Sequence, residues 1–229
     1  MPAAGGAVEV KPRVRAFLRD LLDWGVLSFG EFVLKSGRHA PYFFDFGAVA
    51  SGPALLRLGQ HFAAAVTEFD AMPHVVFGPA YKGIHLATSV AIGLADLGLE
   101  VNLAFNRKEV KPHGEGGWLI GGELSGRRVL IVDDVVSDGT AKREAAGLVR
   151  SAGGILSGVL VALDREEPAP QGRLSASRAL SSQLGVDVRG VASLGDLIEH
   201  LRVEQTHPEE LAGLLEYRRG LLRVQAELG

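Results

Sequence analysis

Residues 129–141 have the sequence VLIVDDVVSDGTA. The run 129–132 is short and apolar, which is typical of a strand buried on both faces of a parallel sheet. Asp133 and Asp134 follow it directly, and helix-forming sequence begins at Thr140. Parallel sheets bind ligands beyond the carboxyl ends of their strands, because loop N–H groups and the next helix N-terminus are unsatisfied there. The stretch therefore predicts a strand, an acidic pair, a loop and a helix at a ligand-binding edge.

The loop has the composition of a phosphate site, because N–H groups at a helix N-terminus bind anions. Gly139 permits close approach of the backbone, and Ser137 and Thr140 add hydroxyl donors. The carboxylates of Asp133 and Asp134 can accept hydrogen bonds from a sugar diol or from water around Mg²⁺. The whole stretch predicts a ribose 5-phosphate site, with the diol on the acids and the phosphate on the loop. An acidic pair alone would not identify the ligand, because such pairs also end strands at protein surfaces and in phosphotransfer and phosphatase sites.

Strand and helix patterns alternate on both sides of this stretch. Apolar runs typical of strands lie at 74–77, 101–105, 129–132, 156–163 and 186–191. Helical patterns lie at 84–97, 140–151 and 173–184. Alternation of this kind implies right-handed crossovers, so we expect an α/β fold with a central, mainly parallel sheet of about five strands flanked by helices.

The two ends of the chain have different patterns from the centre. Residues 12–24 are predicted to form an amphipathic helix, and 32–44 a β-hairpin with its turn at 36–38. A further helix is expected from Pro53 to about Glu68, and 196–225 looks helical with a break near 206–208. We expect one domain over 1–229, divided into an N-terminal hood with the first helices (1–70), the sheet core (73–192) and the C-terminal helices (193–229).

The composition excludes several classes of protein. With 47% hydrophobic and 22% charged residues, the chain has ordinary globular composition. A net charge of −3 gives no general attraction to nucleic acid or anionic membrane. The absence of cysteine excludes disulfides, thiolate zinc sites and a cysteine nucleophile. No targeting or membrane-spanning segment is recognisable, so we expect a cytoplasmic protein without membrane or nucleic-acid partners.

Two further segments carry cations beside glycines. Residues 106–117, NRKEVKPHGEGG, look like a mobile lid between two strands, and 77–83, FGPAYKG, form a glycine turn with one lysine. Cations held by such a lid would stabilise negative charge that develops on a bound group during a reaction. A solvated surface loop is the alternative for the first segment.

Further candidate ligand-binding residues lie in two other places. The aromatic pair Phe43 and Phe44 follows Lys35 within the predicted hairpin, and Arg165 follows a buried strand. The planar fork of an arginine suits a carboxylate held through two hydrogen bonds. The alternatives are that the aromatic residues belong to the core and that Arg165 forms a surface ion pair.

Taken together, these strings resemble the type I phosphoribosyltransferases, and most closely the bacterial single-function orotate phosphoribosyltransferases. The resemblance runs from about Phe29 to the last helix. It implies the type I phosphoribosyltransferase fold and transfer of ribose 5-phosphate from 5-phosphoribosyl 1-pyrophosphate (PRPP) to orotate. The products would be orotidine 5′-phosphate and pyrophosphate, in the synthesis of UMP. It also implies Mg²⁺ as cofactor, and a homodimer in which part of the lid reaches into the neighbouring subunit.

The resemblance also implies roles for individual residues. Those implied to contact orotate are Lys35, Phe43, Phe44, Ser137 and Arg165. Those implied to contact PRPP are Tyr81, Lys82, Arg107, Lys108, Lys111, His113, Asp133, Asp134, Val135, Val136, Ser137, Asp138, Gly139, Thr140 and Ala141. Among these, the largest catalytic losses on mutation are expected at Lys108, Lys111, Asp133 and Asp134. No residue is expected to bind Mg²⁺ directly: the donor would hold it, with Asp133 and Asp134 reaching it through water.

Asp138 departs from the family pattern, in which a small residue is usual. A carboxylate about 5 Å from a phosphate repels each unit of its charge by ~3 kcal/mol at an effective dielectric near 20. We therefore expect the side chain of Asp138 to point away from the phosphate loop.

Two other functions are compatible with parts of the sequence. The acceptor could be a different base, although Arg165 and the aromatic pair argue for orotate. A non-catalytic regulator that senses the donor and binds nucleic acid is the second alternative. Such a regulator should carry a recognition module, but the residues before Phe29 contain one predicted helix and no helix-turn-helix.

Overall fold

The computed structural model describes residues 10–34, 37–111, 117–170 and 172–227, with the side chains of Val110 and Lys111 excepted. The helices are α1 (Pro12–Asp23), α2 (Gly52–Val66), α3 (Lys82–Asp96), α4 (Thr140–Ser151), α5 (Ala176–Leu184), α6 (Leu194–Glu204) and α7 (Pro208–Glu227). The strands are β1 (Leu27–Val33), β2 (His39–Phe44), β3 (Val75–Gly78), β4 (Asn102–Lys111), β5 (Gly117–Gly121), β6 (Arg128–Val135), β7 (Ile155–Asp164) and β8 (Val188–Ser193).

The central sheet has six strands in the order β5-β4-β3-β6-β7-β8. Neighbours from β4 to β8 pair in parallel, whereas β5 pairs antiparallel with β4 at the edge. The predicted α/β class, the five parallel strands and the helices between them are confirmed. The sixth strand, β5, was not predicted.

The predicted lid loop requires a correction, because its first half is strand. β4 continues past its pairing with β3, which ends at Phe105, and its pairing with β5 runs from Ala104 to Lys111, opposite Gly117. Because this ribbon lies at the sheet edge and carries exposed charged side chains, it lacks the apolar run by which the buried strands were recognised. Residues 112–116 lie outside the described residues.

The sheet is covered on both faces. One hydrophobic cluster joins it to α1, α2, α3, α6, α7 and the hairpin of β1 and β2, and a second joins it to α4 and α5. The predicted N-terminal helix and hairpin are confirmed, although β1 begins at Leu27, earlier than expected. No helix of the described residues is long and apolar enough to cross a membrane.

Helices α2 and α3 approach each other through glycines. A Cβ atom on Gly93 would lie 2.3 Å from the carbonyl oxygen of Gly59, and one on Gly59 would lie 2.0 Å from that of Ser89. Such distances leave no room for a side chain. The close contact fixes α3, whose first residue, Lys82, lies at the ligand-binding edge of the sheet.

Candidate active site

The candidate site lies where β6 ends, between its neighbours β3 and β7 in the middle of the sheet. Asp133 and Asp134 are near the end of this strand, and α4 begins six residues after Asp134, at Thr140. Gly139 precedes the helix with a φ of +77°, a conformation that favours glycine. The predicted order of strand, acids, loop and helix is therefore present.

The two acids have different environments. Asp133 is 7% exposed, and its Oδ1 accepts a hydrogen bond from the backbone N–H of Asp134 at 2.9 Å. The more accessible Asp134 accepts one from the N–H of Val135 at 2.7 Å. Burial raises the pKa of Asp133 and the neighbouring Asp134 raises it further, whereas Lys142 opposes both effects.

Two lysines lie against the acids. Nζ of Lys142 is 2.5 Å from Oδ2 of Asp133 and 3.8 Å from Oδ1 of Asp134. Nζ of Lys82 is 3.5 Å from Oδ2 of Asp134. Lys82 was predicted at the site from the sequence, but Lys142 was missed. The available signal was its position on the buried face of α4, where a lysine is unusual.

The side chain of Asp138 does not point away from the loop, which contradicts our expectation. Its carboxylate accepts hydrogen bonds from the backbone N–H and from the hydroxyl of Thr140. A carboxylate two residues before Thr140 lies within reach of these donors at the start of α4 and accepts their hydrogen bonds. Arg143 adjoins the loop and donates to the hydroxyl oxygen of Thr140 at 2.8 Å and to the backbone oxygen of Asp138 at 3.0 Å.

The cationic segments come together beside the acids. Nζ of Lys108 lies 4.7 Å from the ring centre of Tyr81, a cation–π contact between β4 and the start of α3. The backbone N–H of Ala80 donates to Oδ1 of Asn106 at 2.9 Å, which joins the same two segments. Arg107, between Asn106 and Lys108 in the chain, is half-buried. Of the other predicted pyrophosphate contacts, the Lys111 side chain and all of His113 lie outside the described part of the chain.

The aromatic pair is divided between the two faces of β2. Phe44 is 6% exposed and packs against Phe46, whereas Phe43 is 39% exposed and stacks on Phe32 at 5.4 Å between ring centres. Neighbouring residues of a strand point to opposite faces. Phe43 therefore has the accessible ring, and Phe44 has the core position that the sequence left open. Lys35 lies outside the described residues.

Arg165 is buried instead of forming a surface ion pair. Its Nε lies 2.7 Å from Oε1 of Glu167, and its guanidinium lies 5.0 Å from the ring centre of Tyr42. The hydroxyl of Tyr217 donates to the same Glu167 oxygen at 2.9 Å. The buried Nη2 of Arg165 has no hydrogen-bond partner among the described residues. A buried donor without a partner suits an acceptor supplied by a ligand.

An acidic strand end, a glycine loop that opens a helix, and neighbouring cations form the arrangement that the sequence predicts for a ribose 5-phosphate site. Comparison with known proteins gives the class: the family model described as phosphoribosyl transferase domain matches residues 46–172, more than half of the chain.

Individual relatives narrow the class. An orotate phosphoribosyltransferase of Stenotrophomonas maltophilia (strain K279a) is 48% identical over 214 residues, covering 93% of this chain and 94% of that protein. One from Xanthomonas campestris pv. campestris (strain B100) is 54% identical over 187 residues, covering 80% and 84%. The crystal structure of the Francisella tularensis orotate phosphoribosyltransferase has a TM-score of 0.79 at 32% identity, covering 90% and 98%.

The chain belongs to the phosphoribosyltransferase family and, within it, to the orotate phosphoribosyltransferases. The resemblance described from the sequence is thereby confirmed. The roles of the individual site residues stay predictions.

Proposed function

We propose that this protein transfers the 5-phosphoribosyl group of PRPP to orotate, giving orotidine 5′-phosphate and pyrophosphate in UMP biosynthesis. The main observation in support is that Asp133 and Asp134, at the end of β6, lie next to the loop proposed to bind phosphate at the start of α4. Relatives that share 48% of their residues over nearly the whole chain support orotate as the acceptor.

In this mechanism the protein positions its substrates and stabilises charge, and no protein nucleophile is needed. The acids receive the ribose hydroxyls, and the loop N–H groups and hydroxyls receive the 5-phosphate. The cations proposed to bind the pyrophosphate are Lys82, Arg107, Lys108 and Lys111. As the bond from C1 to the pyrophosphate oxygen breaks, these cations interact more strongly with the leaving group. A ring nitrogen of orotate then attacks the oxocarbenium-like carbon.

Arg165 is proposed to hold the orotate carboxylate. Its buried Nη2, without a partner in the described protein, and its fixed position against Glu167 and Tyr42 support this role. Phe43 offers an accessible ring, and Ser137 is exposed in the loop between the acids and α4. Phe44 would contribute indirectly, because its packing on the buried face of β2 holds the strand that carries Phe43.

Mg²⁺ is proposed to be carried mainly by the donor. Asp134 has the more accessible carboxylate of the pair and fits a contact through water, because Asp133 is engaged by Lys142. When bound, Mg²⁺ would lower the charge barrier to departure of pyrophosphate.

The assembly is proposed to be a homodimer with a lid shared across subunits, acting as one domain per chain in the cytoplasm. The family resemblance supports the shared lid. Mixing the impaired Lys111→Ala protein with the impaired Asp134→Asn protein tests it, because hybrid dimers would regain one intact site and therefore activity. Sedimentation and cell fractionation test the assembly and the location.

An absorbance assay tests the reaction itself. Orotate absorbance should fall only when protein, PRPP and Mg²⁺ are all present. If orotate absorbance stayed constant, the proposed reaction would be refuted and a regulator that senses the donor would be favoured. Replacing orotate by uracil or a purine tests the other alternative, in which the acceptor is a different base. The Asp134→Asn variant serves as the control for contaminating activity.

A further inference from the structure

Lys142 occupies a position in α4 where an apolar residue is expected. The buried residues of this helix are Lys142, Ala145, Ala146 and Val149. Their spacing of three, four and seven residues is that of the apolar face of a helix. Lys142 is nevertheless only 6% exposed. Burial of an ammonium group is costly unless it is paired, so its position depends on its partners.

Its main partner is Asp133, whose two oxygens are both engaged. Oδ2 lies 2.5 Å from Nζ of Lys142, and Oδ1 accepts the N–H of Asp134. These contacts hold the Asp133 carboxylate in one orientation. Asp134 instead has Oδ2 near Lys82, whose side chain is 54% exposed.

Stability alone is a weak explanation for this ion pair. The desolvation of two charges offsets much of their attraction, and apolar residues of similar volume often replace such pairs without loss. The pair also lies at the carboxyl end of β6, at the edge where the donor is proposed to bind. A functional explanation therefore fits its location better than a purely structural one.

We propose that Lys142 is a positioning residue for donor binding: acting through Asp133, it holds that carboxylate in the orientation in which the acidic pair receives the ribose hydroxyls. The inference rests on the proposed function, because it assumes that the donor is a ribose phosphate. It assigns the two lysines different tasks, since Lys142 faces the protein side of the acids and Lys82 the accessible side.

A double-mutant cycle tests the inference, using Lys142→Met, Asp133→Asn and the double variant at constant Mg²⁺. In the wild-type background, Lys142→Met should raise the KM for PRPP on the order of tenfold and leave the KM for orotate unchanged. In the Asp133→Asn background, the same substitution should change the PRPP KM by less than about twofold. Equal factors in both backgrounds, or an unchanged PRPP KM in Lys142→Met, would overturn it.

Folding is monitored by thermal unfolding of each variant, because Lys142→Met leaves a buried carboxylate unpaired. If that variant does not fold, Asp133→Asn and the double variant still decide the matter. Their PRPP KM values should agree within about twofold, and a larger difference overturns the inference. Lys11→Met is the matched control, since it removes a lysine that pairs with Glu68 outside the site. Failure of the wild-type protein to convert orotate would instead refute the proposed function.

Discussion

The carboxylate of Asp138 accepts two hydrogen bonds from Thr140, one from its backbone N–H and one from its hydroxyl, each 3.0 Å long. The hydrogen bond from the backbone of Thr140 is the main cause of the lowered pKa of Asp138. These are two of the donors that the 5-phosphate of PRPP is proposed to use. The donor phosphate must therefore displace the carboxylate or share Thr140 with it.

Asp138→Ala should leave the KM for PRPP unchanged or lower it, because the variant frees both Thr140 donors and removes a repelling charge. The same change should lower the free energy of unfolding by about 1 kcal/mol, because two hydrogen bonds at the start of α4 are lost. Steady-state kinetics and urea unfolding measure the two effects. Asp138→Asn keeps a hydrogen-bond acceptor but removes the charge, so it separates the effect of the charge from the effect of the lost hydrogen bonds. A large rise in the PRPP KM of the alanine variant would show that the carboxylate assists binding.

Arg165→Met should raise the KM for orotate more than the KM for PRPP, because it removes the guanidinium proposed to bind the carboxylate. It should also lower stability by about 1–3 kcal/mol, since buried Glu167 loses its nearest cation but keeps the hydroxyl of Tyr217 and, at 3.7 Å, Arg38. Kinetics at a temperature below the unfolding transition keep the two effects apart. Glu167→Gln is the control, because it disturbs the same ion pair but retains the arginine. An unchanged preference for orotate over uracil in Arg165→Met would contradict the assignment.

The sequence predicted the parallel part of the fold well, because buried strands and their crossover helices leave strong apolar patterns. It did not predict β5 or the outer half of β4. At this exposed edge, strand formation depends on pairing with the neighbouring strand, which the local sequence pattern does not reveal. At the site, the acids and the loop could be predicted because they are consecutive in the chain. The contact of Lys142 with Asp133 could not, because it depends on how α4 packs against β6.

Buried histidines should make the protein less stable in mild acid. His200 is 3% exposed, and its pKa is lowered mainly by burial and also by Arg19 and Arg15. The unfolded chain therefore binds a proton more readily, so stability is present above the unfolded pKa of about 6.5 and is lost as the pH falls below it. This group contributes at most about 1.4 kcal/mol per pH unit.

Urea unfolding between pH 7.5 and pH 5 measures this effect. In His200→Gln, the free energy of unfolding should decline less over that interval than in the wild type. Other groups, including His61, whose pKa burial also lowers, stay the same in both proteins and cancel in the difference. Identical slopes in the two proteins would contradict the assignment to His200.

The glycine contact between α2 and α3 should be intolerant of side chains. Gly93→Ala should lower stability by about 1–3 kcal/mol. The new methyl group would overlap the backbone of Gly59, so α2 and α3 would have to move apart. Gly147→Ala in α4 is the matched control, since nothing lies within 4 Å of its new methyl group. The control should gain up to about 1 kcal/mol from better helix propensity. Equal responses at the two positions would refute the packing argument.

Lys111→Ala should lower kcat by about 100-fold with little change in stability, if the ribbon of β4 and β5 delivers this cation to the leaving pyrophosphate. A charge that acts only as the C1–O bond breaks should affect kcat more than the KM for PRPP. Lys108→Ala provides the comparison, because Lys108 is exposed and contacts Tyr81. If Lys108 only helps to bind PRPP, its loss should mainly raise the KM for PRPP and leave kcat nearly unchanged. Near-normal kcat in Lys111→Ala would remove the lid from the mechanism, because the remaining cations would then be sufficient to stabilise the departing pyrophosphate.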